Sequence, residues 1–288
     1  MSVLAQLEAP LPGGSTGATV RLHPLLTGEM LAPRALLARR GGPLHNLTAI
    51  GVGLPRSRRI WIPAPAFLVE HPGAGPFLVD TGLHPSVARD PRESMGRLGA
   101  RLYDYRMSPD QSVRAQAQAR GIDPEDIGLV LMTHLHLDHA SGALDLPGAT
   151  FAVDAREWPA ANARTAALNG YRAAQLEGLT WRAFPETDGQ PLDLFGDGSV
   201  SIVSTPGHSP GHCSVLLRLA GRDALLCGDA AYTRDTIEHG TLPGLTHDTT
   251  AFKRSLAWIQ SFASEHPDAV LIPGHYPDAW PGLDPVYG

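Results

Sequence analysis

The feature that most constrains this chain is a dense group of metal-capable side chains at residues 134–139. Within these six residues stand His134, His136, Asp138 and His139. They follow an apolar run, 127–132, which predicts a buried strand, so the group lies on the loop that leaves that strand. Imidazole nitrogen and carboxylate oxygen suit Zn²⁺, and the lack of cysteine here argues against a closed structural zinc site.

Side-chain alternation in this loop predicts more than one metal position. In an extended segment, alternation places His134, His136 and Asp138 on one side. His139 breaks the alternation and can therefore face a second ion. The alternative interpretation is a polar surface loop that happens to contain histidines.

Three later residues share one local pattern, in which an apolar strand is followed by glycine or proline and then by a possible ligand. They are His208, Asp229 and His275. Small neighbours such as Gly207 and Gly228 allow the backbone to approach a crowded site closely. Together with the first group this makes five histidines and two aspartates, enough for two ions and one shared carboxylate.

Asp80 is a further candidate, because it ends a predicted strand and is followed by Thr81 and Gly82. A carboxylate in that position can hold a metal-ligating imidazole through its other ring nitrogen. An aspartate that only caps the turn fits the sequence equally well.

Composition limits the possible partners. A chain of 288 residues with 43% hydrophobic content can form one large domain. A net charge of −6 provides no field for binding phosphate backbones, so we expect no nucleic-acid partner. Cys213 and Cys227 lie in apolar runs and indicate a reducing compartment. Residues 1–20 lack a signal-peptide pattern and no run is long enough to span a membrane, so we expect a cytoplasmic protein without a membrane partner.

Strand and helix patterns alternate in two successive halves, which favours two β-sheets packed together with helices outside. Residues 1–20 predict a flexible arm that becomes ordered only by docking, and 21–288 predict one domain. Within it, 27–59 predict a long excursion near a pocket mouth or a subunit contact. Strands are predicted at 21–26, 60–70, 76–80, 127–132, 149–153, 183–187, 200–204, 215–219, 224–227 and 269–272. Helices are predicted at 33–40, 109–120, 154–178 and 249–265, and 84–107 are predicted to be irregular.

The HxHxDH signature at 134–139, followed in order by His208, Asp229 and His275, resembles the metallo-β-lactamase superfamily over about residues 60–280. The resemblance implies an αβ/βα sandwich of two mixed β-sheets flanked by helices, with the site at one edge between the sheets. It also implies two Zn²⁺ per chain, or other divalent metals such as Co, Mn or Fe. The implied ligands are His134, His136 and His208 for one ion, Asp138, His139 and His275 for the other, and Asp229 as a bridge.

Within the superfamily the chain resembles the N-acyl homoserine lactonases. Three features carry this: the run Thr-Pro-Gly-His-Ser-Pro-Gly-His-Cys-Ser at 205–214, a tyrosine three residues beyond Asp229, and Phe-Leu-Val-Glu at 67–70 followed by Leu-Val-Asp-Thr-Gly at 78–82. The resemblance implies a zinc-dependent hydrolase that opens the lactone ring with a metal-bridging hydroxide. Its catalytic residues would be Tyr232, as a hydrogen-bond donor to the oxyanion, with Asp229 and Asp138. The sequence departs from the family in its longer segment before residue 60 and in Leu137, where some relatives have Phe.

Other functions remain open from the sequence. The same dinuclear site could hydrolyse another ester, such as a different lactone or an organophosphate triester. Non-hydrolase members of the fold include di-iron oxidases, which resemble a pattern with Glu where His136 stands, and nucleases, which need a basic surface. The expected partner is a small acylated lactone, and a homodimer is compatible with the sequence.

Overall fold

The computed structural model describes residues 3–39, 41–42, 44–187 and 189–288. Over these residues the strands form two sheets. The first sheet contains β1 (Arg21–Pro33), β2 (Arg59–His71), β3 (Gly75–Val79), β4 (Asp104–Arg106), β5 (Leu129–Leu131), β6 (Thr150–Val153) and β7 (Thr180–Ala183), in the order β4-β1-β2-β3-β5-β6-β7. The second contains β8 (Leu192–Asp193), β9 (Val200–Ser204), β10 (Cys213–Arg218), β11 (Asp223–Gly228) and β12 (Val270–Pro273), in the order β12-β11-β10-β9-β8.

The helices of the described residues are mostly short and lie outside the sheets. They are α1 (Arg34–Leu37), α2 (His45–Ala49), α3 (Pro91–Leu102), α4 (Val113–Ala119), α5 (Leu137–Ala140), α6 (Glu157–Ala161), α7 (Arg234–His239) and α8 (Thr249–Glu265). None of them is both long enough and apolar enough to cross a membrane.

The main core lies between the two sheets, because alternate side chains of each strand point to opposite faces. Phe67 of β2 and Leu226 of β11 belong to this inner cluster. Leu68, one residue along β2, points outward into the layer that includes α4 and α5. Leu225, one residue before Leu226, instead packs with Ile259 of α8. The order of layers is therefore helix, sheet, sheet, helix, and the predicted αβ/βα sandwich of two mixed sheets is confirmed.

Parallel pairing determines where the functional loops meet. β3, β5, β6 and β7 pair in parallel, and so do β11 and β12. The carboxyl ends of parallel neighbours lie at the same edge of a sheet, where open α/β sheets commonly bind ligands. The segments that follow β5, β11 and β12 carry six of the seven predicted ligands, and the loop after β9 carries His208.

The predicted excursion at 27–59 begins later than expected. β1 continues to Pro33 and pairs with β2 across a register shift between Leu26 and Glu29. Gly28 permits this irregularity: its φ is +140°, and a Cβ there would lie 2.8 Å from the Arg106 carbonyl oxygen. Thr27 and Gly28, which directly follow the predicted strand 21–26, therefore form a bulge. The predicted helix at 33–40 is reduced to α1, and Arg40 lies outside the described residues.

Four other segment predictions were wrong. The helix expected at 109–120 is a 3₁₀ turn, Pro109–Gln111, followed by α4. Residues 84–107 were expected to be irregular but contain α3 and β4, and α3 is interrupted at Gly96, whose φ is +69°. Residues 154–178 were expected to be one helix but contain only α6 and two 3₁₀ turns. A strand was expected at 183–187, but β7 covers Thr180–Ala183 and ends where the predicted strand begins. By contrast, α8 has the predicted bounds, 249–265.

The described part of the N-terminal arm, residues 3–20, is docked on both sheets. The Leu7 amide donates to the Ala183 carbonyl at 2.7 Å, and the Leu11 amide donates to the Leu194 carbonyl at 2.8 Å. Leu7 also joins the core between the sheets. The sequence predicted a flexible arm here, and the described residues of the arm are hydrogen-bonded to both sheets.

Candidate metal centre

The first group of candidate ligands lies where β5 turns into α5. The strand ends at Leu131, His136 has an extended backbone, and α5 begins at Leu137. His134 and His139 have no exposed surface. Because residues 137–140 are helical, the alternation argument fails after His136.

One cluster consists of three imidazoles. His208 Nε2 lies 2.8 Å from His136 Nδ1 and 3.2 Å from His134 Nε2. His134 and His136 come from the loop after β5 in the first sheet, and His208 comes from the loop after β9 in the second. The sheets therefore contribute jointly to this cluster.

A second cluster consists of Asp138, His139 and His275, each with one ligand atom within 4.8 Å of the others. His275 Nε2 lies 3.4 Å from Asp138 Oδ2. The prediction from alternation had grouped Asp138 with His134 and His136, and this was wrong because the turn of α5 carries Asp138 toward His275.

The Asp229 carboxylate lies between the two clusters. Its Oδ2 is 3.2 Å from His208 Nε2 and 3.9 Å from His134 Nε2. Its Oδ1 is 3.3 Å from His139 Nε2 and 3.2 Å from His275 Nε2. Each oxygen thus faces a different cluster, which is the geometry required of a carboxylate that bridges two ions. All seven predicted ligands are brought together.

In two of the histidines, the ring nitrogen that points away from the site donates a hydrogen bond to an oxygen. Asp80 Oδ2 accepts from His139 Nδ1 at 2.8 Å, and the Pro63 carbonyl accepts from His275 Nδ1 at 2.8 Å. Such partners fix the tautomer that leaves Nε2 free as a ligand. Asp80 was a candidate for this role from the sequence. Pro63 was missed, since a backbone carbonyl gives no sequence signal.

His212 supports the site through hydrogen bonds made by both of its ring nitrogens. Its Nε2 accepts from the Asp229 amide at 2.9 Å, and its Nδ1 pairs with Thr205 Oγ1 at 2.9 Å. Both ring nitrogens are therefore engaged within the protein. Gly228 permits this packing, because a Cβ there would lie 2.7 Å from His212 Nε2.

Burial sets the protonation of the histidine cluster. Desolvation holds the pKa of His134 and of His208 well below the usual value and lowers the pKa of His136 to about 4. Burial alone would raise the pKa of Asp229, but His275, His208 and His139 hold it well below the usual range. The neutral imidazoles of His134, His136 and His208 beside the ionised Asp229 are in the protonation states that metal ligation requires.

Tyr232 lies beside the clusters. Its hydroxyl is 3.1 Å from His208 Nδ1, and its ring meets the His275 ring edge-on with centroids 5.2 Å apart. Burial raises the pKa of Tyr232 well above its usual value, with Asp229 adding to the effect. The hydroxyl therefore stays protonated and can donate a hydrogen bond.

The donor set fits divalent cations. His139 Nε2 and Asp229 Oδ1 are buried without a hydrogen-bond partner among the described residues, and both point into the site. Ligands at the zinc–nitrogen distance of about 2.0–2.1 Å in a tetrahedron are about 3.3 Å apart, close to the 3.2 Å between His208 Nε2 and His134 Nε2. Imidazole and carboxylate ligands without cysteine are those expected for an open zinc site.

The family model described as "Metallo-beta-lactamase superfamily" matches residues 59–275. The chain belongs to the metallo-beta-lactamase superfamily. It is 39% identical over 223 residues to the N-acyl homoserine lactonase AttM of Rhizobium radiobacter, covering 76% of this chain and 84% of that protein.

Solved structures agree on the fold. An AiiA mutant of B. thuringiensis with N-decanoyl-L-homoserine bound at its active site has a TM-score of 0.76 at 22% identity, covering 94% of this chain and 100% of that one. AidC, a dizinc quorum-quenching lactonase, has a TM-score of 0.64 at 17% identity, covering 98% and 94%. The predicted superfamily, and the prediction of a hydrolase related to the N-acyl homoserine lactonases, are confirmed.

Proposed function

We propose that this protein hydrolyses the lactone ring of N-acyl homoserine lactones at a site that holds two divalent ions, with zinc expected. The observation that carries the proposal is the placement of Asp229, whose two carboxylate oxygens face two separate ligand clusters. The similarity to AttM over most of both chains supports the substrate class.

Two divalent ions in such a site supply Lewis acidity, which polarises a carbonyl and makes water acidic enough to act as a nucleophile at neutral pH. His134, His136 and His208 would hold one ion, Asp138, His139 and His275 the other, and Asp229 would fix their separation. In this proposal Asp229, which is buried between the clusters, also passes the proton. Asp138 has a partly exposed side chain, so it also meets the solvent side of the site.

Tyr232 provides the hydrogen bond to the substrate in this proposal. Its hydroxyl is protonated and lies close to His208, so it can turn toward an oxyanion that develops on the ring carbonyl. A donor placed where negative charge develops contributes more to the transition state than to the ground state.

The acyl chain would lie along an apolar wall beside Tyr232. Met30, Ile62, Leu36 and Leu37 form one buried cluster with Tyr232, so β1, β2 and α1 approach this side of the site. The predicted excursion therefore begins next to the residue proposed to contact the lactone. An apolar wall beside a polar reaction centre suits an acylated lactone.

The test is a panel of homoserine lactones with graded acyl chains, mixed with zinc-loaded protein while acid release is followed. We expect turnover with at least part of the panel and none with Asp229→Ala. Absence of turnover across the panel, in protein that holds two ions, would refute the lactonase assignment. Turnover of a paraoxon-type triester alone would transfer the assignment to the alternative ester class.

A further inference from the structure

Glu157 is a fully buried carboxylate outside the ligand clusters. It is the first residue of α6 and has no exposed surface. A buried carboxylate is costly unless its oxygens are hydrogen-bonded. The partners of Glu157 therefore indicate what the residue does.

The two oxygens of Glu157 bind the two histidine loops. Oε1 accepts from the Gly211 amide at 2.7 Å, and Oε2 accepts from the Leu135 amide at 3.2 Å. Leu135 stands between His134 and His136 in the loop of the first sheet. Gly211 stands between His208 and His212 in the loop of the second sheet. One side chain thus spans both loops whose imidazoles form the all-histidine cluster.

A third contact reaches the His136 ring. The Tyr171 hydroxyl donates to Glu157 Oε2 at 3.3 Å, and the Tyr171 ring meets the His136 ring with centroids 4.5 Å apart and planes at 61°. Gly170, the residue before Tyr171, also lies against His136. The Gly170 carbonyl accepts from the Leu137 amide at 2.9 Å, and a Cβ on Gly170 would lie 3.3 Å from His136 Cδ2. Fixing Tyr171 therefore also fixes the orientation of His136.

We propose that Glu157 is a positioning residue for one of the two metal ions, holding His134 and His136 in register with His208 by spanning the two loops. The inference rests on the dinuclear site of the proposed function. The cluster of Asp138, His139 and His275 is oriented instead by Asp80 and the Pro63 carbonyl. The effect of Glu157 is therefore specific to the ion held by the three histidines.

A carboxylate is required because both loops present donors. Glutamine has nearly the same size, but one of its two terminal atoms is itself a donor and would face a backbone amide. Glu157→Gln therefore releases one loop without creating a cavity. The matched control is Glu177→Gln, the same change at an exposed position in the segment that follows Tyr171.

The experiment titrates metal-free protein with Zn²⁺ against a chromophoric chelator, and records the visible absorption of the Co²⁺-substituted protein. For Glu157→Gln we expect one of the two binding steps to weaken about 10–100-fold, the range for loss of such supporting partners. The other binding step of this variant, and both binding steps of the Glu177→Gln control, should stay close to wild type. The Co²⁺ spectrum of the weakened step should change.

The outcomes separate the inference from the proposed function. If wild type binds fewer than two ions, the dinuclear site itself fails. If wild type binds two and Glu157→Gln binds both with unchanged affinity, or weakens both equally, the positioning role is wrong. If Glu157→Gln does not fold, Tyr171→Phe replaces it, with a severalfold loss expected at the same single step. An unchanged titration for Tyr171→Phe would then overturn the role.

Discussion

Asp80 adopts a left-handed backbone conformation, with φ of +57°, where β3 ends. Besides its bond to His139, its carboxylate accepts from the Thr133 amide and the Thr133 hydroxyl, each at 2.8 Å. One buried side chain thus fixes both the start of the histidine loop and the ring of one candidate ligand. Such a conformation is tolerated by Asp and Asn and by few other residues.

Asp80→Asn therefore tests the support of the second cluster without straining the backbone. The amide is a weaker acceptor for His139 Nδ1, so the affinity for one ion should fall about 10–100-fold. Competition with a chelator measures the effect, and Asp268→Asn at an exposed position is the control. Wild-type affinity in Asp80→Asn would show that His139 does not depend on this partner.

Tyr232→Phe tests the proposed hydrogen bond to the substrate. If the hydroxyl stabilises the oxyanion, kcat should fall about 10²–10³-fold, and zinc content per chain should stay at the wild-type value. Steady-state kinetics and elemental analysis of the same preparation measure both quantities. Parallel loss of metal and kcat would instead mean that the hydroxyl serves to orient His208, which it contacts at 3.1 Å.

Among the elements, α8 was predicted at its exact bounds because its signal is local. Asp248 caps its first turn, and Phe252, Leu256, Ile259 and Phe262 recur on one buried face. In the segments 84–107 and 154–178, by contrast, the amino-acid composition did not indicate the secondary structure that forms. Gly96 interrupts α3, and the alanine-rich segment folds into short turns that place Tyr171 against His136. There tertiary contacts override helix propensity, and sequence alone could not predict them.

Ile259→Ala tests how far α8 stabilises the second sheet. Ile259 has no exposed surface and packs with Leu225 and Cys227 of β11. Truncation leaves a cavity behind the strand that carries Asp229, and should lower the free energy of unfolding by about 2–5 kcal/mol. Denaturant unfolding measures this, with exposed Lys253→Ala as a control expected to change it by less than about 0.5 kcal/mol. Equal effects of the two changes would contradict the packing.

For the whole molecule, the ligand clusters join the two sheets. His134, His136 and His139 come from the first sheet, and His208, Asp229 and His275 come from the second. These candidate ligands were predictable because each follows a strand end in a local pattern. Glu157 and the Pro63 carbonyl were not, since their roles exist only once distant segments meet.

Metal removal should therefore weaken the whole fold. Ions that bind the folded state alone stabilise it in proportion to the logarithm of their concentration relative to the dissociation constant. We expect a chelator to lower the melting temperature by several degrees and added Zn²⁺ to restore it. Calorimetry with and without chelator measures this, and an unchanged melting temperature would contradict ligation across the sheets.

Asp197 joins three segments of the chain away from the clusters of candidate ligands. Its carboxylate accepts from the Ser199 amide at 2.8 Å and the Ser15 amide at 2.9 Å, and lies 3.2 Å from His71 Nε2. Ser15 belongs to the arm, His71 ends β2, and Ser199 precedes β9. Burial opposes ionisation of Asp197, but these hydrogen bonds, with that of the Ser199 side chain, lower its pKa to about 2.

This depressed pKa predicts how stability depends on pH. The pKa of Asp197 in the unfolded chain is near 3.8. Its contribution to the free energy of unfolding is therefore fully present above that pH and is lost as the pH falls through about 2. Asp197→Asn should therefore be less stable than wild type at pH 6, and the gap should narrow below pH 4. Unfolding of metal-free protein from pH 6 to pH 3 isolates this effect from metal release. Asp268→Asn, an exposed control, should show no such narrowing, and a gap that stays constant for Asp197→Asn would mean that its carboxylate charge does not hold the arm to the two sheets.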